Sequence, residues 1–262
     1  MIRGGIEGYE RLQVLTRARW PYTAELFDAI GVGEGMRALD LGCGGGAVTF
    51  EIARIVGPEG FVTGIDMDEV KLDLARAAAL EGGVTNVEFR LANVNDWDEV
   101  ETYDLVFCRF LLEHLSRPLA LLRRMWAAVQ PGGAIAVEDA DFDGAFCDPP
   151  NDGYEFWART YPEVLRRHGG DPQIGRKLYR YFLEAGIPHP TMTLTQDVNT
   201  EGLAKTLPLT TVEATADAIR DEKLATEEEI SAALASLAAF TDDPSTVVSG
   251  PRVFQVWSRR PG

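Results

Sequence analysis

Ala38-Leu39-Asp40-Leu41-Gly42-Cys43-Gly44-Gly45-Gly46-Ala47 joins a short apolar run to a glycine-dense turn, and a helical segment follows from about Val48. Gly42, Gly44 and Ala47 fit the spacing G-x-G-x-x-G/A, in which small residues permit a tight turn and let a ligand approach backbone N–H groups. Alone, the spacing is weak. Its setting strengthens it: the turn lies between a predicted strand and a predicted helix, and Asp66 ends the next predicted strand, where a ribose-binding carboxylate belongs. The pattern points to an adenosine-type cofactor. The competing explanation is a tight connection only, with Asp66 a helix cap beside Asp68. Four glycines in five positions weigh against it, because glycine costs backbone entropy on folding. Cys43 reads as a small space-filler rather than a nucleophile, since no histidine lies near it in sequence.

Outward from the turn, strand-like and helix-like segments alternate from Met36 to Glu138, the pattern of parallel strands joined by crossover helices. Predicted strands are Arg37–Leu41, Phe61–Asp66, Val87–Ala92, Tyr103–Cys108 and Ala134–Glu138, short and apolar as strands covered on both faces require. Asp68 caps the helical segment Glu69–Leu80, Gly82-Gly83 stops it, and Pro131-Gly132-Gly133 ends the segment beginning near Pro118. Glu7 to Ile30 reads as helical with Pro21 interrupting it. After an acidic loop from Asp139 to Gly153 come helical segments Tyr154–Arg167 and Gln173–Ala185, then strand candidates Thr191–Val198 and Val253–Trp257, separated by a largely helical insertion that contains Glu227–Phe240. The fold class is therefore α/β, with a helical N-terminal cap over 1–33, a main domain over 34–262, and helical insertions at about 140–170 and 200–245.

The bulk numbers bound the function. At 262 residues, 45% hydrophobic, the chain can bury a sizeable core, and its formal net charge of −16 repels nucleic-acid phosphates and anionic membranes. A small-molecule partner is expected. Cys43, Cys108 and Cys147 form no C-x-x-C pair, so neither a disulfide framework nor a structural zinc site is expected, and a reducing cytoplasm fits. Neither a membrane-spanning run nor a signal-peptide core is read from the sequence. A homodimer is compatible with this reading.

Leu39-Asp40-Leu41-Gly42-Cys43-Gly44-Gly45-Gly46 closely resembles the first motif of the class I S-adenosylmethionine-dependent methyltransferases. Gly64-Ile65-Asp66-Met67-Asp68 resembles the second motif, Tyr103-Asp104-Leu105-Val106-Phe107-Cys108 the fourth-strand motif, and Leu119–Gln130 with Pro131-Gly132-Gly133 the helix and turn before the fifth strand. The resemblance covers Glu34 to Glu138 well and Val253–Trp257 loosely. It implies a Rossmann-like, mostly parallel sheet with helices on both faces, closed by an antiparallel hairpin, and S-adenosyl-L-methionine as cofactor. It also implies that Gly42 and Gly44 approach the amino-acid part of that cofactor, with Asp40 contributing through its ammonium group or by ordering the loop. Asp66 takes both ribose hydroxyls and Met67 lies against the adenine. Where many members carry an acidic residue for the adenine amino group, this chain has Asn93 followed by Val94. The Asn oxygen can accept the same hydrogen bond, and Asp96 either substitutes for it or caps a turn.

Arg109 follows the fourth strand, at the carboxyl end of the sheet, and either pairs with a ligand carboxylate or forms an i,i+4 salt bridge to Glu113. The implied reaction is methyl transfer to an O, N or C nucleophile of a small molecule. A non-methylating protein that keeps the cofactor, such as a cyclase, and a nicotinamide oxidoreductase are the alternatives. His114 is the candidate catalytic base, for an ordinary imidazole pKa lies near ~6.5; packing on the crossover helix is its plainer role. Glu113, Asp139 and Asp141 are further candidates. Asp139, Asp141 and Asp143 read as a solvated acidic loop rather than a metal site. Phe142, Phe146, Tyr154, Phe156, Trp157 and Tyr161 either wall a substrate pocket or form core, and Tyr9, Arg17 and Trp20 are expected to fold over the cofactor.

Overall fold

The computed structural model describes residues 5–262, with side chains from residue 11 onward. Its eight-stranded sheet is built on β1 (Arg37–Leu41), β2 (Phe61–Asp66), β3 (Val87–Leu91), β4 (Tyr103–Arg109) and β5 (Val129–Asp141), parallel throughout and ordered β3-β2-β1-β4-β5. β8 (Val247–Arg259) runs antiparallel along β5. β7 (Thr191–Asn199) pairs with the opposite edge of β8, because Trp257 and Val256 have partners in both strands. The two-residue β6 (Cys147–Asp148) adds to the start of β8. This is the Rossmann-like sheet with a terminal hairpin that the sequence implies. β5 and β8 extend well past the predicted Ala134–Glu138 and Val253–Trp257, and the Pro131-Gly132-Gly133 turn is absorbed into β5.

Strand alternation divides the core. Ala38, Leu105, Phe107, Ala134 and Ala136 point to one face, against Leu26, Phe27 and Ile30 of α1 (Gly5–Ile30) and Ile52 and Val56 of α2 (Ala47–Val56). Leu39, Leu41, Val106, Cys108, Ile135 and Val137 point to the other, against Leu121, Leu122 and Met125 of α4 (Pro118–Ala128) and Leu178 and Phe182 of α6 (Ile174–Glu184). A period of two sends alternate side chains to opposite faces, so both faces are apolar and both are covered. α3 (Glu69–Glu81) contributes Leu72 and Ala75 to a smaller cluster with Cys43 and Phe89. A third core joins α5 (Asp152–Arg167), α7 (Leu207–Asp221) and α8 (Glu227–Asp242), the last opened by a capping box between Thr226 and Glu229. No described helix is long and apolar enough to cross a membrane.

α1 continues through Pro21, where the sequence predicts a break. Proline withholds one N–H and ordinarily costs a helix interior about 3 kcal/mol. Anchors on both sides offset that here. Arg19 donates to Asp197 at 3.0 Å, Thr23 donates to Glu138 Oε2 at 2.7 Å, and Phe27 packs edge-on against Phe107 with ring centroids 5.0 Å apart.

The strand order reverses between β1 and β4, so a crevice opens at the carboxyl end of β1. The turn there depends on glycine: Gly42, Gly44 and Gly46 have φ of 71°, 54° and 77°. Gly46 is also hemmed in, since a Cβ would lie 2.7 Å from the Phe89 ring. Gly46→Ala should lower unfolding free energy by about 1–3 kcal/mol, through overpacking at a left-handed position. Urea denaturation of variant and parent measures this, and an unchanged midpoint would refute the tight packing of the turn on Phe89.

Candidate active site

A cavity of about 600 Å³ occupies the crevice. Asp40, Gly42, Gly44, Asp66, Met67, Asn93, Val94, Arg109 and His114 all line it, so the sheet brings these nine predicted residues to one place, whereas the further base candidates Asp139 and Asp141 do not line it. The physical reason is topological, since each follows or ends a parallel strand and those ends share one edge.

The half beneath β1 and β2 is polar. Asp66 Oδ2 accepts the Gly44 N–H at 2.8 Å and Oδ1 accepts that of Asp68 at 2.9 Å, tying the glycine turn to the end of β2. Asp68 separately caps α3 by accepting from Lys71 N, as the sequence predicts. Asp40 is buried and accepts the Thr49 hydroxyl at 2.7 Å; burial pushes its pKa up to about 6, against the opposing pull of Thr49 and Arg109. Met67 is 67% exposed, its thioether free to lie against a ligand. Asn93 Oδ1 accepts both the backbone N–H and the side-chain amide of Asn95, at 2.9 and 3.0 Å. Asn93, not Asp96, therefore forms the turn after β3, and Asp96 does not line the cavity. The Cys43 thiol is buried and its pKa pushed up, the space-filling role rather than a nucleophile's.

Arg109 does not pair with Glu113. Phe110 at φ 52° turns the chain out of β4, and Glu113 falls in a single 3₁₀ turn, Leu112–His114, rather than one helical turn away. Arg109 instead donates to Thr16 at 2.6 Å and Thr23 at 3.2 Å, both on α1, with Asp40 and Glu138 providing the negative field around it.

The acidic stretch is not the solvated loop expected from the sequence: Asp139 and Asp141 end β5 and are buried, only Asp143 is exposed, and each has its own structural task. Asp139 Oδ2 accepts the N–H groups of Leu112 and Glu113, at 2.9 and 3.2 Å, and Oδ1 that of Ala140 at 2.9 Å. Asp141 holds the Arg176 guanidinium through both oxygens, and Asp143 reaches the same guanidinium at 3.1 Å. Among the described residues no three His, Cys, Asp or Glu side chains converge on a shared ligand position.

Glu113 and Asp139 are buried together, and burial raises both pKa values, with the Asp139 charge and hydrogen bond adding to the rise at Glu113 and the Asp171 charge to that at Asp139. Three backbone donors favour the charged form of Asp139 and oppose that rise, whereas Glu113 is held well above the usual carboxylate range. His114 Nε2 lies 3.4 Å from Glu113 Oε1. Its side chain is 37% accessible, yet the ring sits deep in the cavity wall; burial, with Arg11 and Lys71 nearby, depresses its pKa to about 4. The expected imidazole titration near neutrality is thus displaced, and His114 is uncharged at pH 7.

The far half of the cavity is walled by the cap. Trp157, Tyr161, Val164, Leu165 and His168 recur along one face of α5 and all five line the cavity. The aromatic set divides: Phe142, Trp157 and Tyr161 reach the cavity, Tyr154 and Phe156 belong to the core, and Phe146 is exposed. The Tyr154 hydroxyl donates to the Ser249 carbonyl at 2.7 Å. From α1 the cavity is lined by Arg11, Leu12, Leu15, Thr16 and Arg19, while Arg17 and Trp20 line a separate cleft against α2; Tyr9 lies outside the residues whose side chains are described. Arg17 and Trp20 thus do not cover this cavity as expected, and the spacing of Leu12, Leu15 and Arg19 is the sequence signal that points to the face that does.

Residues 33–186 match the family model of a methyltransferase domain. The ubiquinone biosynthesis O-methyltransferase of Bordetella avium is 36% identical over 129 residues, 48% of this chain and 51% of that protein. The chain spans about half the length of the curated relatives it matches. Among solved structures, Haemonchus contortus phospholethanolamine N-methyltransferase 2 aligns with a TM-score of 0.60 and 13% identity over 93% of this chain and 53% of that one. The [4+2]-cyclase SpnF aligns with a TM-score of 0.54 and 16% identity over 92% and 80%. Both likenesses are likenesses of fold.

Asp139→Ala should leave the Leu112 and Glu113 amides without an acceptor, a loss of about 1–3 kcal/mol in stability. Chemical denaturation followed by circular dichroism gives the value, and a wild-type midpoint would show that Asp139 does not hold the turn.

Proposed function

The chain belongs to the methyltransferase-domain family, and we propose that it transfers the methyl group of S-adenosyl-L-methionine to a nucleophile of a small molecule. The observation that carries this reading is the convergence of the Gly44 amide, the Asp66 carboxylate and the buried Asp40 on one cavity. A carboxylate offers about four acceptor sites. Asp66 spends two on Gly44 and Asp68, which leaves enough for the two hydroxyls of a ribose. Met67 and Val94 offer apolar surface to an adenine, and the Asn93 oxygen, already engaged by Asn95, contributes less to its amino group. Asp40 faces the ammonium of the amino-acid part, and Arg109, held by Thr16 and Thr23, faces its carboxylate. The cavity, at about 600 Å³, has the size of sites that enclose ligands of this kind.

Bound S-adenosyl-L-methionine supplies a methyl group already activated by a positively charged sulfur. What remains for the protein is alignment and removal of water, which in favourable cases is worth about 7–11 kcal/mol. The α1 face carrying Leu12 and Leu15, and the α5 face carrying Trp157 and Tyr161, exclude water from the space between them. The relatives named as O-methyltransferases match about half of this chain and favour an oxygen nucleophile. His114, with its depressed pKa, serves as a neutral hydrogen-bonding group, since a base that weak removes protons poorly near pH 7. The net charge of −16 supports a small acceptor over a nucleic acid, and the three free cysteines support a reducing cytoplasm.

Calorimetric titration with S-adenosyl-L-methionine, followed by assay for S-adenosylhomocysteine over pools of candidate acceptors, tests the reading. Failure of the folded protein to bind the cofactor would overturn it, and binding without turnover would place the chain with non-methylating users of the fold. Asp66→Ala should weaken cofactor binding by about 1–3 kcal/mol, because ribose hydroxyls lose their acceptor.

Cofactor affinity should also depend on acidity. An ammonium ligand favours the ionised Asp40, whose pKa is raised to about 6, so affinity falls as pH drops below that value and levels off above it. Asp40→Asn should weaken binding and flatten this dependence; a slope that survives in the variant would assign it to another group.

A further inference from the structure

Among the described residues four cations of fixed charge line the cavity, Arg11, Arg19, Lys71 and Arg109, and three of them are met. Arg19 pairs with Asp197 at 3.0 Å and Lys71 with Asp68 at 3.4 Å. Arg109 donates to Thr16 and Thr23 in the negative field of Asp40 and Glu138. Arg11 differs. It forms no ion pair among the described residues, and its Nε is buried without a hydrogen-bond acceptor. Buried polar atoms in native proteins are almost always satisfied, so an orphaned guanidinium nitrogen in a cavity wall marks a place where a ligand completes the bonding.

Glu113, the cavity acid on which Arg11 acts, does not cancel this charge. Its side chain is hydrogen-bonded to Asp139, and burial beside that second carboxyl holds it well above the usual carboxylate range, so near pH 7 it carries a proton. Asp139 does not line the cavity, and its oxygens accept three backbone N–H groups. Of the two histidines in the wall, His114 is uncharged and His168 lies 3.7 Å from Glu222, so neither competes with Arg11 for an anion. The net charge of −16 does not settle the matter, because exposed charges are screened over about 8 Å in physiological salt while a buried cation is screened much less.

The surroundings of Arg11 set the rest of the ligand. Its charge reaches Tyr161, and Trp157 stands one helical turn before Tyr161 on α5. Trp157 Nε1 is a second buried donor without an acceptor, in a side chain only 4% exposed. Phe142 packs edge-on against both rings, at centroid distances of 6.1 and 5.1 Å, and Val164 and Leu207 continue the apolar wall. Flat aromatic faces held this rigidly favour a ring over a flexible chain, since ring contacts add to the area buried. Two donors without acceptors, one of them charged, match the two acceptor oxygens of a carboxylate.

We propose that this half of the cavity binds a ring-bearing carboxylate, whose oxygens accept from Arg11 and Trp157 Nε1 while its ring lies against Phe142 and Tyr161. The assignment rests on the methyltransferase reading above and names the class of acceptor that the same site would take. A single guanidinium matches the one charge of a carboxylate, and falls short of the nearly double charge of a phosphate monoester.

The test is binding rather than turnover, by calorimetry on the full chain saturated with S-adenosylhomocysteine, with 1-naphthoate, its uncharged analogue 1-naphthamide and 1-naphthyl phosphate as probes. 1-Naphthoate should bind at least about tenfold more tightly than 1-naphthamide, the increment of a hydrogen bond to a charged group. It should also bind more tightly than the phosphate. Arg11→Gln should erase the preference for naphthoate over naphthamide, and Arg11→Lys should keep part of it. Trp157→Phe, which keeps a ring and withdraws Nε1, should weaken naphthoate several-fold. Should the Gln variant fail to fold, the order of the three probes on the parent and the Trp157→Phe variant decide. Equal affinity for naphthoate and naphthamide, tightest binding of the phosphate, a preference that survives Arg11→Gln, or naphthoate binding unmoved by Trp157→Phe would each overturn the proposal. Absence of naphthoate binding by protein that holds S-adenosylhomocysteine would overturn it too, as would loss of S-adenosylhomocysteine binding in the Arg11→Gln protein, which places Arg11 on the cofactor. Failure of the parent to hold S-adenosylhomocysteine at all would instead overturn the functional reading beneath it.

Discussion

The Asp66 carboxylate, accepting the Gly44 amide at 2.8 Å, is the contact on which the site is built. It links the end of β2 to the middle of the turn that leaves β1, across the boundary of two strands paired in parallel. Backbone bonds support the same left-handed turn: Gly42 N and Cys43 N both donate to the Ile65 carbonyl of β2, at 2.8 and 3.0 Å, and Gly46 N to the Cys43 carbonyl at 2.9 Å. Fixing the turn in this way sets the shape of the crevice floor before any ligand arrives. Pre-ordering of that kind is where affinity is gained without added contacts. Phe89 supplies the matching apolar constraint from beneath, pressed against the place where a side chain on Gly46 would sit.

A second constraint attaches α1 to the sheet. Glu138 is fully buried and accepts from Thr23 at 2.7 Å and from Gln255 at 2.6 Å, while Gln255 also donates to the Tyr22 carbonyl at 3.0 Å. One carboxylate thus gathers α1, β5 and β8 at a single point. A buried carboxylate is tolerated only when its oxygens are engaged. The same network explains why α1 survives Pro21, and why its Leu12 and Leu15 face lies over the crevice rather than away from it. The helix is core at one end, through Phe27 and Ile30, and cavity wall at the other.

The parts of this architecture that sequence alone predicts are those set by short-range pattern. β1, β2 and the start of β4 fall where alternating or continuous apolar runs demand strands, and Asp68 caps α3 as its position before Glu69 requires. The crevice is equally legible, because parallel strand ends must share an edge. What escapes is whatever depends on partners distant in the chain. Asp139 is one of three acidic residues spaced two apart, and nothing in that spacing shows that it satisfies the turn at Leu112 while Asp141 and Asp143 hold Arg176. The aromatic residues of α5 present the same difficulty. Tyr154 and Trp157 are three apart and both buried, yet one is tied to Ser249 and the other borders the cavity, a difference decided by where α7 and α8 dock. His114 illustrates a third limit: its pKa depends on burial and on the cations of α1 and α3, none of them visible in its own neighbourhood of sequence.

The cavity has a sheet-built half and a cap-built half, and the fold likenesses at 13 and 16% identity extend over more than nine-tenths of this chain. The glycine turn and the end of β2 are constrained by parallel pairing, by Phe89 and by the Gly44 bond, so few changes are tolerated there. On α5, by contrast, Trp157, Tyr161, Val164 and Leu165 belong both to the core shared with α7 and α8 and to the cavity wall, so the shape of that wall is set by helix packing rather than by strand pairing. The cap side of the cavity is accordingly fixed by the docking of α5, α7 and the 3₁₀ turn carrying Glu113, which hold a buried acidic pair, Glu113 and Asp139, beside an otherwise apolar wall.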